Sequence, residues 1–295
     1  MNECTALPKK ELLIQIQIPF CTGHCHYCER KNLGNSRTLF RQYLKALKAE
    51  ITDTAPEISD YDVTSIHICG DNTITMMGTD ILDEFLLFLK RTIPTADHTQ
   101  WVIDMLPYEM SAASLTVLRN AHISILHLNT GTCQMKEFNL LKRPYYYAAF
   151  DGALSLISMY QQHNISIGLF AGLPGQTEDS LVRSLQYALK AQPVQLSLQA
   201  CSPDAEAKFS SSVDCLMAQS GLQRYGTGWN YALPGQERIE YTQDSDNMDC
   251  IGFGAGAATR LDGNSYHNTE NLSLYLAYST DPQMIACDLK SSDMK

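Results

Sequence analysis

The sequence predicts an α/β chain folded as a partial (β/α)6, TIM-like barrel with a small C-terminal extension. Three observations carry this expectation. Between Leu12 and Ala200, six short apolar runs alternate with longer segments of helical period, the pattern of a parallel sheet with helical crossovers. Six such units suit an open barrel better than the full eight. After Ala200 the pattern loosens into sequence containing Ser, Asp and Gly, so we assign residues 1–200 to the barrel and 201–295 to an extension packed on it.

The expected strands are Leu12–Ile18, Val63–Cys69, Trp101–Met105, Ile123–Asn129, Ile165–Phe170 and Val194–Ala200, each rich in β-branched or large apolar residues. Between the first two, Phe40, Tyr43, Leu44, Leu47 and Ile51 recur at intervals of three and four, which predicts an amphipathic helix with Ser36 as its N-cap. The same pattern predicts helices over Ile81–Leu89, Leu115–Leu118, Ala149–Tyr160 and Leu181–Leu189, the last capped by Thr177. In the extension, weaker strands are expected near Gln223–Tyr231 and Arg238–Tyr241, and a short helix near Leu272–Tyr278. Residues Ser279 to Lys295 are polar and are expected to fray without a clear element.

Composition narrows the function classes. A chain of 295 residues with 44% hydrophobic content is long enough to bury a full core, as one large α/β domain or two smaller ones. The net charge of -10 comes without a basic stripe, which argues against a nucleic-acid partner. The N-terminus lacks an apolar targeting segment, and no stretch approaches the roughly 18 apolar residues of a membrane span, so a soluble, cytoplasmic protein is expected. Ten cysteines in such a chain read as reduced thiols or metal ligands rather than disulfides.

One group of cysteines is tightly spaced. Cys21, Cys25 and Cys28 directly follow the first strand, at the end where α/β barrels place their chemistry. Three thiolates on a four-iron cluster leave one iron open to a further ligand. The competing reading is structural zinc, with His24 or His26 as a fourth donor, but zinc sites of that kind use paired CxxC units and no second one exists here.

The CxxxCxxC spacing, with Tyr27 before the third cysteine, resembles the radical S-adenosyl-L-methionine (SAM) superfamily. The run Ile16-Gln17-Ile18-Pro19-Phe20 is similar to the oxygen-independent coproporphyrinogen III oxidase and haem-chaperone branch. Further segments resemble that branch too: Lys142-Arg143-Pro144, Leu173-Pro174-Gly175-Gln176-Thr177, Trp229 to Gly235, and Ile251 to Ala257. The resemblance implies a 4Fe-4S cluster on Cys21, Cys25 and Cys28, with SAM at its open iron. Tyr27, Gly70, Asn72, Asp104 and Arg143 fall at positions implied to bind SAM, Asp104 through ribose hydroxyls or the ammonium group and Arg143 through the carboxylate. No catalytic side chain is assigned.

As to activity, the resemblance implies reductive cleavage of SAM to a 5′-deoxyadenosyl radical that acts on a porphyrin-related or other organic substrate, with flavodoxin or ferredoxin as reductant. The alternatives are a cluster protein that binds or traffics haem with weakened or lost SAM turnover, and a radical SAM methyltransferase. Several positions depart from the branch: Gln15, Gln17, Gly131 and Gly168 stand where it has polar or ionisable side chains, Arg30 where the oxidase has another cysteine, and Arg238 to Thr242 where the chaperones have a His-Asn pair. Outside this set, His67, His122 and His127 read as packed core residues, as do Met76-Met77 and the Tyr145–Tyr147 run. Gly252, Gly254 and Gly256 read as close-packing or turn glycines rather than a dinucleotide fingerprint. The Gly172–Thr177 loop reads as a tight strand-to-helix connection.

Overall fold

The computed structural model describes residues 9–23, 25–26, 32–70, 72–143, 146–162, 164–242 and 247–288. All six expected strands form: β1 (Lys10–Gln17), β2 (Tyr61–Cys69), β3 (Gln100–Met105), β4 (Ile125–Gly131), β5 (Ile165–Ala171) and β6 (Gln195–Ala200). They lie side by side in chain order, each parallel to the next. The crossovers are α1 (Arg37–Ile58), α2 (Thr73–Thr92, interrupted at Gly78), α3 (Ala112–Asn120), α4 (Met135–Leu141), α5 (Ala149–Tyr160) and α6 (Glu178–Ala188). Ser36 and Thr177 cap as the sequence predicts, accepting from Leu39 N and Ser180 N. The α/β partial barrel with added C-terminal elements is therefore the observed architecture.

Alternation along each strand separates two environments. Leu12, Ile14 and Ile16 of β1 join Phe40, Tyr43, Leu47 and Ile51 of α1 in the core. The other face of the strands is polar. Register sets Gln15 beside His67, and Asp104 beside His127, which in turn neighbours Ser166. His127 Nδ1 lies 2.9 Å from Ser166 Oγ, and a Cβ at Gly168 would come within 3.0 Å of the same imidazole. Gly168 is thus the residue that leaves room for His127. His122, by contrast, sits exposed on a left-handed turn with φ 51°, not in the core.

After residue 200 the sequence reading needs four corrections. Residues Ala205–Gln219 form a fifteen-residue helix, α7, whose buried Ala205, Phe209, Val213 and Met217 recur every four residues. The expected strand Gln223–Tyr231 is a hairpin, β7 (Gln223–Tyr225) with β8 (Asn230–Ala232), and β8 runs antiparallel to β6. The expected strand at Arg238–Tyr241 is a short 3₁₀ turn, Ile239–Tyr241, because Tyr241 N and Thr242 N bond back to Arg238 O and Ile239 O instead of to a neighbouring strand.

Strands β9 (Asp249–Phe253), β10 (Ala258–Leu261), β11 (Asn264–Asn268) and β12 (Ala286–Asp288) extend the opposite edge, with β9 parallel to β1. Helix α8 (Leu272–Tyr278) forms where expected, but the segment expected to fray contains helix α9 (Pro282–Ile285) and β12, whose edge is paired with β11. The chain beyond residue 200 therefore flanks both edges of one twelve-stranded sheet.

Three polar side chains of the barrel, Glu50, Gln195 and Gln100, bind these late residues to it. Glu50 of α1 accepts from Gly254 N at 2.9 Å, from Asn268 Nδ2 at 2.7 Å and from the Tyr275 hydroxyl. Cβ atoms at Gly252 and Gly254 would collide with Ala258 O and the Tyr43 hydroxyl, which bears out their close-packing role. At the amino-terminal end of the inner face, the Gln236–Tyr241 segment lies across the sheet. Gln195 and Gln100, the first residues of β6 and β3, donate to Gln236 O and Glu237 O, and Gln100 Oε1 also accepts from Ile239 N. This segment carries Arg238 and Glu240 into the barrel.

Candidate functional site

The site begins where β1 ends. Residues 18–23 and 32–34 form a braced loop holding Cys21, and a single side chain, Asn32, supplies most of the bracing. Its Oδ1 accepts from Cys21 N at 3.0 Å and Gly34 N at 2.8 Å, while Nδ2 donates to Cys21 O at 3.2 Å and Gly23 O at 2.8 Å. Cys21 N also donates to Gly34 O, and Leu33 N to Pro19 O. Cys21 and Cys25 are half-buried. Cys28 and Tyr27 lie outside the described residues, as does Asp71. His26 N donates to Leu141 O at 2.9 Å, which ties the far side of the loop to the end of α4.

Gly70 closes the near side. A Cβ there would stand 2.6 Å from Ile18 O, so only glycine lets the end of β2 approach the entry to the cysteine loop this closely. Asn72 follows at the N-cap position of α2, yet its side chain makes no capping bond. It turns instead to the loop: Nδ2 lies 2.7 Å from Cys21 Sγ, and Oδ1 accepts from Thr22 Oγ1 at 3.3 Å and from the Tyr108 hydroxyl. The start of α2 is satisfied by Glu109, whose carboxylate accepts from Thr75 N and Thr75 Oγ1, each at 2.7 Å. A carboxylate at a helix N-terminus also meets the positive end of the helix dipole.

Arg143 occupies a separate place at the end of β4. Nη1 donates to Asn129 O at 2.7 Å and Nη2 to Asn129 Oδ1 at 3.2 Å, with the guanidinium over the Phe170 ring. A Cβ at Gly131 would lie 2.8 Å from Arg143 Nη2, so glycine at that position is what admits the arginine. Below it, Glu137 accepts from Thr132 Oγ1 at 2.6 Å and Gln176 Nε2 at 3.1 Å, and Gln176 Oε1 accepts from Gly172 N at 2.7 Å. The Gly172–Thr177 loop is therefore a strand-to-helix connection tied by Gln176, as its residues suggest.

Asp104, near the end of β3, pairs with His67 of β2. It is fully buried, and its Oδ1 lies 2.7 Å from His67 Nε2. Arg238 Nη2 lies 3.2 Å from the same nitrogen and 2.5 Å from Glu240 Oε1. Burial opposes charge on the imidazole, but Cys69 and Asp104 outweigh it and hold His67 well above its ordinary range. For Glu240, burial acts upward and Arg238 more than offsets it, so its carboxyl is held down. His67, Cys69 and Asp104 have the donor atoms and spacing of a metal site. The Arg238 guanidinium already stands at His67 as the cation there.

The structure thus brings Cys21, Gly70 and Asn72 together, sets Arg143 apart beside Asn129, and commits Asp104 to His67. Asn32, Tyr108, Arg238 and Glu240 are participants that carry no motif in the sequence. Of the tyrosine run, Tyr147 packs edge-on against Phe138 and donates to Cys133 O, whereas Tyr146 is 89% exposed, not packed. Met76 and Met77 are buried in the core as expected. Among the described residues no helix is long and apolar enough to cross a membrane.

The donor set fits an iron–sulfur cluster: thiols at Cys21 and Cys25, neither of them in a disulfide among the described residues, with an amide N–H donor at the first sulfur. No protein-family model matches the chain. The heme chaperone HemW of Bacillus subtilis is 25% identical over 286 residues, covering 88% of this chain and 74% of that protein. The oxygen-independent coproporphyrinogen III oxidase of Pseudomonas aeruginosa is 25% identical over 298 residues, covering 90% of this chain and 65% of that protein. Among solved structures, the radical SAM enzyme coproporphyrinogen III oxidase (HemN) from Escherichia coli superposes with a TM-score of 0.77 at 20% identity, over 98% of this chain and 74% of its own. In sequence the chain is thus similar to HemW and the oxygen-independent coproporphyrinogen III oxidases, and in fold to the radical SAM enzyme HemN.

Proposed function

We propose that this chain holds a 4Fe-4S cluster on Cys21, Cys25 and Cys28 and uses it with SAM to act on a porphyrin-related substrate. The observation that carries the reading is the braced loop at the carboxyl end of β1, with Asn72 Nδ2 at 2.7 Å from Cys21 Sγ, in a fold that superposes on HemN. When bound, the cluster and SAM supply one-electron reductive cleavage and hydrogen abstraction. The chain's own residues position. Asn32 fixes the loop, Gly70 opens the approach beside it, and Arg143, fastened by Asn129, offers a guanidinium to a carboxylate. The phenol of Tyr108 is raised by burial and stays protonated as a donor. A small acidic one-electron carrier, flavodoxin or ferredoxin, would supply the electron, and reduced thiols suit a cytoplasmic setting.

The test is anaerobic reconstitution followed by dithionite and SAM. 5′-Deoxyadenosine is expected from the wild type and not from Cys25→Ala, and equal amounts from the two would end the enzyme reading.

A second reading is haem binding or trafficking with little SAM turnover. It draws on Asp104, which is committed to His67, and on the match to HemW. A haem titration with no change in the Soret band at stoichiometric haem would remove it.

A further inference from the structure

The Asn72 amide has a defined orientation. The Tyr108 hydroxyl donates to Asn72 Oδ1, and Thr75 Oγ1 stands 3.1 Å from the same phenol and 2.7 Å from Glu109 Oε1. Thr22 Oγ1 donates to the same Asn72 oxygen. An amide carries its donors only on nitrogen, and turning it over would set an oxygen lone pair against the Cys21 sulfur with no proton between them. Asn72 is 0% exposed, so no water competes for Nδ2.

We propose that Asn72 is a positioning residue for the cluster: its Nδ2–H donates to the Cys21 ligand sulfur and raises the cluster's reduction potential, and Tyr108 holds the amide in that orientation. The inference rests on the cluster reading above. Adding one electron to the cluster increases the negative charge on its sulfurs, so a donor at Cys21 stabilises the reduced form more than the oxidised one. Only the difference in that hydrogen bond's strength between the two oxidation states shifts the potential.

The experiment uses the full chain purified anaerobically as wild type, Asn72→Ala, Asn72→Asp and Tyr108→Phe. Iron and sulfide are assayed in each, and the cluster is titrated with dithionite under electron paramagnetic resonance. For Asn72→Ala at a fixed potential, the ratio of reduced to oxidised cluster is expected to fall about tenfold, a downward shift of about 59 mV for a one-electron couple. Asn72→Asp, which adds a negative charge beside the sulfur, is expected to shift further down, and Tyr108→Phe in the same direction by less. Equal iron content with unchanged midpoints in Asn72→Ala would overturn the proposal. Should Asn72→Ala not retain iron, an unchanged midpoint in Tyr108→Phe would overturn it instead. A wild type that holds no iron or sulfide after reconstitution would defeat the cluster reading itself, and the two failures are told apart by the iron assay.

Discussion

Replacing Glu50 with alanine is expected to lower the unfolding free energy by about 3–5 kcal/mol, because three donors lose their common acceptor inside the core. Gly254 N–H, Asn268 Nδ2 and the Tyr275 hydroxyl converge on this carboxyl, and Tyr275 is 0% exposed. The loss would fall on the junction between α1, the β9–β10 loop and α8, so α8 and the antiparallel strands should loosen first. Urea unfolding of wild type and variant would measure it, and a midpoint change equivalent to less than about 1 kcal/mol would contradict this account.

The same group makes stability pH-dependent in a direction opposite to most carboxylates. Burial pushes the Glu50 carboxyl up to about 7, with hydrogen bonds from Tyr275, Gly254 and Asn268 drawing it only partly back. A folded-state value above the unfolded one means that the native chain holds a proton the unfolded chain releases. The contribution is therefore fully present below the ordinary carboxylate range and is lost as pH rises through about 7. Wild type should lose roughly 3 kcal/mol from this group between acidic and mildly alkaline pH, and Glu50→Ala should lack that slope. The penalty of the substitution is accordingly larger at acidic pH.

Arg238→Ala is expected to cost about 3–5 kcal/mol as well, for a different reason. It removes the guanidinium that faces Glu240 and the His67–Asp104 pair, leaving the His67 imidazolium as the remaining buried cation described there for two carboxylates. Arg238→Lys should recover little, since a point charge cannot meet Glu240 and His67 together as the planar guanidinium does. Arg238→Met combined with Glu240→Leu should recover most of the loss. Arg238 Nη1 finds no partner among the described residues, so the intact network is not fully satisfied, and apolar replacement of such groups is often neutral. Thermal unfolding of the three variants discriminates: a double variant as unstable as Arg238→Ala would show that the ion pair itself stabilises the fold.

Much of this molecule is written in local sequence. The six parallel strands and the caps at Ser36 and Thr177 are legible because the core-facing positions of each strand recur every second residue as β-branched or large apolar side chains, and each cap acts within three residues. Helix α7 shows why legibility fails: Phe209, Val213 and Met217 keep a four-residue spacing, but Ser210, Ser211 and Ser212 between them have turn character, and the stripe is one residue wide. Strands β7 and β8, at three residues each, are too short to show a period. The site divides the same way. The cysteine spacing is local, whereas Asn72 reaches Cys21 across 51 positions and Arg238 reaches His67 across 171. Which polar side chain meets which is decided by strand register and by the path of a distant segment, and neither is encoded near the residues concerned.

The pairing of β1 has a consequence for the order of events in folding. One edge of this strand bonds to Tyr61–Cys69, close in sequence, but the other bonds to Asp249–Phe253, more than two hundred positions later. Contacts of such separation form late, after the entropy of closing a long loop has been overcome. During synthesis the strand leading into the cysteine loop therefore stays a half-open edge until most of the chain has emerged. Its hydrogen-bonding groups can meanwhile pair with the wrong partner. The braces of the cysteine loop, Asn32, Gly70, Asn72 and Leu141, all precede that late strand in the chain, so the loop can take its setting while the edge beside it is still open.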